Sequence, residues 1–406
     1  MNKLNLKNEM KDWILSIQHL FAMFGATVLV PLLVGINPSI AILTAGLGTL
    51  VFHLCSKGKV PAFLGSSFAF ISPIILVSTT YGFAYVQGSV IIVGLVYALM
   101  SYLVYKIDTE RISKYLPPHV VGAMIIIIGL TLIPSAITNC QTHISIATIT
   151  LVTSLLITFF GKGFIKQLGI LIGVVVGYLL SLWVGLVDTS IIANASLFSN
   201  PINFTVPKFG LEAILIIGPL AICTILEHIG DITTNGTVVG KDFVKEPGLH
   251  RTILGDGLAT ALAGLLGSVP NTTYGENTSL LAITKNYNPK LLRRTAIIAI
   301  VLSFIGVVGA TLQSVPASVI GGISLQLYCM ISWIGVKNIK DNKSHASLSK
   351  LIVIIVMLFI GLGNLIGVNL SIAIGSVTLS GLSLAGIVGI VLNAIITSIE
   401  KRVTSK

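Results

Sequence analysis

Apolar runs of about twenty residues follow one another along nearly the whole chain, separated by short polar turns. A helix of that length crosses a bilayer core of about 30 Å. The pattern predicts spans at 13–31, 38–56, 61–79, 85–105, 117–137, 146–161, 166–186, 211–231, 252–268, 271–285, 293–312, 315–335, 349–367 and 376–398. That is an all-α polytopic membrane protein of fourteen segments. Two runs are interrupted: "PAFLGSSFAF" from Pro61 and "PNTTYGENTSLLAI" from Pro270 open on proline and pass through glycine and short polar residues before turning apolar. Each reads as extended backbone leading into a half-helix. Irregular backbone at membrane depth is tolerated only where it is buried or lines a cavity.

Composition agrees with this pattern. Only 10% of the 406 residues are charged, against about a quarter in soluble domains. A net charge of +11 could suggest a nucleic-acid partner, but the positions of the charges exclude one. Start the chain in the cytoplasm with Lys3, Lys7 and Lys11. The loops returning to that side then carry Lys57 and Lys59; Lys106, Arg111 and Lys114; Lys162 and Lys166; Lys241, Lys245 and Arg251. They continue with Lys285, Lys290, Arg293 and Arg294; Lys337, Lys340, Lys343 and Lys350; and the tail Lys401, Arg402 and Lys406. Lys208, in the long 187–210 loop, is the one basic residue on the other side. The positive-inside rule therefore predicts a plasma or inner membrane protein with both termini cytoplasmic.

The first apolar run is too long for a signal peptide and lacks a cleavage site. Cys55, Cys140, Cys223 and Cys329 show neither metal spacing nor a disulfide framework. No metalloprotease, nucleophile-elbow or nucleotide-binding motif is present, so neither a cofactor nor an enzymatic activity is expected.

The chain repeats itself. Gln18-His19 and Glu227-His228 are separated by 209 residues, and Val60-Pro61 and Val269-Pro270 by the same offset. Half of fourteen is odd, so the second copy enters from the opposite side, giving two inverted seven-segment repeats. The interrupted spans are then equivalent third segments, and their half-helix N-termini face each other near the midplane with free N–H groups.

Three acids lie deep in apolar segments: Glu227, Asp231 and Glu276, with Asp256 nearer a cytoplasmic span start. An acid at a span centre costs roughly 2.5–3.5 kcal/mol on insertion scales and needs a function or a partner. Glu227 and Asp231 share a helix face by their i, i+4 spacing. Glu276 follows Gly275 at the break itself. His19 and His228 read as partners that orient or hold these acids.

At "QHLFAMFGATVLVPLL", "GKVPAFLGSSFAFISP", "EHIGDI", "KDFVKEPGLHRTILGDGLAT", "GSVPNTTYGENTSLLAIT" and "GGISLQLY" the sequence resembles the nucleobase–ascorbate transporter family, especially its bacterial uracil permeases. The resemblance implies a core domain (13–105 with 211–312), a gate domain (117–186 with 315–398), and short antiparallel strands in segments 3 and 10. It also implies substrate contacts at Glu227, Gly275, Glu276, Ala26 and Phe68, a gate contact at Tyr328, and support from His19. Proton coupling would fall to Glu227 tuned by Asp231. Purine carriers of the family usually carry glutamine where this chain has Glu276, which favours uracil; Asp231, familiar among purine members, keeps a xanthine or guanine carrier as the alternative. An anion exchanger of the same fold is disfavoured by two glutamates in the site. The expected function is proton-coupled uracil import by alternating access, with Na⁺ coupling and a homodimeric state left open.

Overall fold

The computed structural model describes residues 3–106, 118–202, 204–341, 344, 347–374 and 377–404. Arg111, Lys114, Lys343 and Lys406, counted among the cytoplasmic charges, lie outside the described residues. Among the described residues, eight helices are long and apolar enough to cross a membrane, and Phe68–Tyr81, Ile144–Phe160 and Gly169–Trp183 are shorter apolar helices.

The first half runs α1 (Lys3–Val34), α2 (Pro38–Cys55), β1 (Leu64–Ser66), α3 (Ile71–Tyr81), α4 (Phe83–Lys106), α5 (Pro118–Gln141), α6 (Ile144–Phe160) and α7 (Gly169–Trp183). The second runs α8 (Leu211–Ile217), α9 (Leu220–Val239), α10 (Leu249–Leu266), β2 (Asn271–Thr273), α11 (Gly275–Thr284), α12 (Pro289–Ser303), α13 (Gly306–Gln313), α14 (Ala317–Asp341), α15 (Leu348–Leu362) and α16 (Gly381–Thr404). Helix, helix, strand and half-helix recur in the same order. α2 and α10 are both 18 residues long.

Three breaks differ from the predicted spans, each for a local reason. The eighth span splits at Gly218-Pro219, because proline cannot donate the helical hydrogen bond and its ring clashes with the preceding turn. The eleventh breaks between Ser303 and Gly306, where a long loop docks. The predicted start of the fourteenth is instead a hairpin, β3 (Ser371–Ile374) with β4 (Val377–Ser380); its β-branched, alternating residues suit a pleated strand.

The strongest packing joins α10 to α2 and α4, and α12 to α1 and α2; separately, α5 packs on α14, α6 on α7 and α14, and α15 on α16 and α5. Small residues set these contacts. Gly94 and Gly257 meet backbone to backbone, as do Gly122 and Gly335. Close approach of this kind drives association where lipid offers no hydrophobic gain. α13 passes to α14 through Ser314, Val315 and Pro316 alone, and the Tyr178 hydroxyl of α7 lies 2.7 Å from Ser314 Oγ.

On the lysine-rich side, Lys59 pairs with Glu246 across the loops before β1 and α10. The hydrogen bond from Lys59, then its charge, holds the Glu246 carboxyl below the usual glutamate range. A folded-state pKa lowered in this way stabilises the fold above the ordinary glutamate pKa of about 4.3 and loses that contribution as pH falls through the lowered value. Lys59→Met is therefore expected to flatten the acid limb of the melting-temperature profile below about pH 5 while leaving the neutral region nearly unchanged, since both groups are solvent-screened. A thermal-shift titration checks this.

A Cβ at Gly65 in β1 would overlap the Tyr274 ring, whereas one at Gly230 in α9 meets nothing within 4 Å. Gly65→Ala should lower stability by about 1–3 kcal/mol through overpacking. Gly230→Ala should be neutral or slightly stabilising, since alanine favours a helix by roughly 0.5–1 kcal/mol. Melting of the two purified variants decides between a required notch and a tolerant glycine.

Candidate functional site

The two interrupted segments meet. β1 pairs with β2 antiparallel, Leu64 opposite Thr273, Gly65 opposite Thr272 and Ser66 opposite Asn271. The ladder extends through Ser67 N to Pro270 O and Tyr274 N to Phe63 O, both 2.9 Å. Leu64 and Thr273 stand at the repeat offset, so the axis relating the two halves passes through that pair.

Extended backbone here needs partners for its outward polar groups, and the neighbouring helices supply them. From α2, Thr49 Oγ1 accepts the Leu64 N–H at 2.9 Å, and His53 Nε2 sits 3.1 Å from the Ala62 carbonyl. Asn271 Nδ2 donates to Thr44 O, and Thr260 Oγ1 to Asn271 O, both at 2.9 Å. Asn235 of α9 donates to Pro61 O at 2.9 Å and to Thr278 Oγ1 at 3.0 Å, tying that helix to both segments. Ser66 Oγ donates to Thr27 O, beside Ala26, and Tyr274 Oη to Ser66 O, each at 3.0 Å.

α9 presents two different faces to this crossing. Glu227 is exposed, and Asp231, one turn on, is half-buried. Asp231 Oδ1 lies 3.9 Å from where a Gly275 Cβ would sit, and Thr273 Oγ1 donates to Asp231 Oδ2 at 3.3 Å. Glu276, half-buried in the first turn of α11, is within electrostatic reach of Glu227. Its carboxylate complements the positive end of that helix. The structure thus brings Glu227, Asp231, Gly275 and Glu276 together beside the strand crossing, in a region termed the crevice.

His228 faces the other way. Its Nδ1 lies 3.0 Å from Asp256 Oδ2 with both side chains fully buried, and Thr273 Oγ1 is 3.3 Å from the same nitrogen. Thr273 therefore bridges the buried pair to Asp231. His19 belongs to a separate arrangement: Asn277 Nδ2 is 3.2 Å from His19 Nδ1 and donates to the His19 carbonyl at 3.1 Å. α1 is fastened in this way to the first turn of α11.

Of the remaining expected contacts, Ala26 is buried and Phe68 half-buried where two core clusters meet, at the turn leading into α3. Tyr328 is fully buried on α14, its hydroxyl without a hydrogen-bond partner among the described residues. No described hydrogen bond joins it to the carboxylates. Asp256 as the partner of His228, Thr273 as the bridge and Asn277 as the anchor of His19 were not singled out from sequence. An acid inside an apolar run was the available signal for Asp256.

A membrane protein whose two broken segments cross beneath clustered carboxylates has the architecture of a solute permease. The sequence pattern of the permease family matches residues 10–370. The chain belongs to that family, the nucleobase–ascorbate transporters. It is 40% identical to a probable uracil permease of Haemophilus influenzae over 98% of this chain and 97% of that one. Identity is 41% to the uracil permease of Bacillus subtilis (95% and 92% covered) and 42% to that of Escherichia coli K12 (94% and 90%). These are transporters, not enzymes. The fold is also that of the transmembrane domain of a cyanobacterial bicarbonate transporter, BicA (TM-score 0.65, 11% identity, 96% and 97% covered). SLC26A9 gives a TM-score of 0.73 at 10% identity, with 97% of this chain and 66% of that one covered.

Removing Asp256 should leave the buried His228 imidazole without its 3.0 Å partner, a loss of about 1–3 kcal/mol. Asp256→Ala is expected to lower the melting temperature more than Asp256→Asn, which keeps an acceptor in place. Equal losses would show that the pair contributes volume rather than polarity.

Proposed function

We propose that the chain imports uracil by proton symport across the plasma or inner membrane, with fourteen crossings and both termini cytoplasmic. The observation carrying this reading is that Glu227, on an exposed helix face, lies within electrostatic reach of Glu276 at the start of a half-helix. Uracil is a planar ureide whose edge alternates N–H donors and C=O acceptors. Two carboxylates accept from N–H groups, and N–H groups opening the two half-helices, at Phe68 and Gly275, donate to carbonyls. Phe68 covers the ring face, worth roughly 0.5–1.5 kcal/mol beyond burial. The names of the relatives support uracil over a purine. The same two glutamates oppose an anionic substrate, so the likeness to anion carriers extends to fold alone.

The packing supports an alternating-access mechanism. The helices of 13–105 and 211–312 pack chiefly on one another, as do those of 117–186 and 315–398, which supports a core moving against a gate. Glu227, Gly230, Thr234 and Thr237 form an exposed stripe on α9 that descends toward Lys241. That stripe supports an opening toward the lysine-rich side, which the charge pattern reads as cytoplasmic. On closure from the other side, the unpaired Tyr328 hydroxyl is the gate group available to meet the base.

Proton coupling is assigned to Glu227. Glu227, Asp231 and Glu276 crowd like charge into one crevice, so they titrate as a set rather than singly. Radiolabelled uracil uptake into proteoliposomes, with and without a pH gradient, tests the whole reading. Glu276→Ala should weaken uracil binding roughly ten- to hundredfold, the worth of a charge-assisted hydrogen bond; Glu276→Asp should lose most of it by withdrawing the carboxylate. Glu227→Gln should keep exchange while losing gradient-driven accumulation, and Asp231→Asn should only move the pH optimum. Competition by xanthine but not by uracil would transfer the assignment to a purine, and accumulation following a Na⁺ gradient would replace the proton.

A further inference from the structure

The connection from α7 to α8 is the longest segment between helices among the described residues, and it does not hang free. Its middle is fastened to the junction of α12 and α13: Ser199 N donates to Phe304 O and Gly306 N to Leu197 O, both at 3.0 Å, with Phe198 bridging Ile305. Any Cβ at Gly306 would overlap the Ser196 carbonyl. Its end is fastened to α4: Lys208 N donates to Ala84 O at 2.9 Å, Thr205 Oγ1 bonds to Gln87 Oε1, and Lys208 Nζ lies 5.9 Å from the Tyr85 ring. A Cβ at Gly88 would overlap the Lys208 carbonyl. Two glycine notches thus receive the segment as a strap across helices α4, α12 and α13.

Five apolar side chains of the strap point outward. Leu197, Phe198, Phe204, Val206 and Phe209 are 66, 74, 72, 72 and 59% exposed. Water would be a poor environment for so many large apolar side chains on one short segment. They also extend an apolar surface already present on the helices. α12 exposes Ile297, Val301 and Phe304 along one face, at i, i+4 and i+7, the lipid-facing stripe of a membrane-embedded helix. Phe198 is bridged beside Phe304 at the end of that stripe. Lys208 is the only charged residue between Leu197 and Gly210. Its long stem can lie along apolar surface with the ammonium at headgroup level.

We propose that this strap is a membrane-interface anchor: Leu197, Phe198, Phe204, Val206 and Phe209 seat in the headgroup–acyl boundary of the leaflet opposite the lysine-rich loops. The occupant is lipid, because Phe198 sits at the end of the apolar Ile297–Val301–Phe304 helix stripe and the strap adds aromatic side chains where the bilayer meets water. The anchor holds the ends of α4, α12 and α13 at a fixed depth. It is independent of the substrate assignment.

The test places Phe198→Trp, and separately Phe204→Trp, in a chain whose Trp13, Trp183 and Trp333 are replaced by Phe, reconstituted in phosphatidylcholine–phosphatidylglycerol vesicles. Blue-shifted emission, quenched by lipids brominated near the carbonyl end and insensitive to aqueous iodide, is the expected result. Red-shifted emission quenched by iodide and indifferent to brominated lipid overturns the anchor. The unaltered chain gives a second measurement that needs no variant. A phospholipid carrying a photoreactive group near its glycerol should cross-link to Phe198 and Phe204 in peptide mass spectra. Labelling of those residues by a water-soluble carbene precursor in place of the lipid would refute the seating.

Discussion

Backbone in extended form at membrane depth must have all of its N–H and C=O groups satisfied by protein, and the rest of this structure is arranged around that constraint. Two three-residue strands satisfy each other along one edge. The remaining backbone groups of the strands and of Pro61 and Ala62 before them reach Thr49 and His53 of α2, Asn235 of α9 and Thr260 of α10. The helices that carry those side chains are therefore fixed relative to the crossing. Each unmade bond in this environment would cost several kcal/mol, so the crossing and its surrounding helices behave as one unit. The unwound geometry that exposes half-helix ends to a solute is also what binds those helices together.

The carboxylates inherit their positions from this unit. Asn235 sits two turns beyond Glu227 and fastens α9 to both interrupted segments, which fixes the rotation of the helix about its axis. That rotation sends Glu227 and Asp231 toward the crevice and His228 toward Asp256. Adjacent residues on one helix are thus divided between an open face and the closed packing. Thr273, reaching both His228 and Asp231, is the one described side chain bridging the two environments.

What the sequence made legible was local chemistry. Pro61 and Pro270, followed by glycine and short polar residues, announced the breaks because no alternative conformation suits those residues in a membrane. Glu227, Asp231 and Glu276 stood out because charge in an apolar run is costly. The β3–β4 hairpin was hidden because its residues are as apolar as a helix, and only a β-branched bias distinguished them. The pairing of His228 with Asp256 was hidden for a different reason: it joins two helices whose mutual rotation is set by tertiary packing, which no periodicity reports. The placement of Tyr328 inside the packing of α14, with its hydroxyl unpaired, depends likewise on how helices far apart in sequence come together.

The three residues between α13 and α14 act as a leash. A chain extends at most about 3.3–3.6 Å per residue, so Gln313 and Ala317 can never separate by more than roughly 14 Å. In the proposed core-and-gate motion, the two bodies joined there could not slide far past each other at that corner. The amplitude would have to be gained by swinging about it, with displacement growing with distance from Ser314. A short peptide at one edge would thus turn a long vertical stroke into an arc, widest on the far, lysine-rich side.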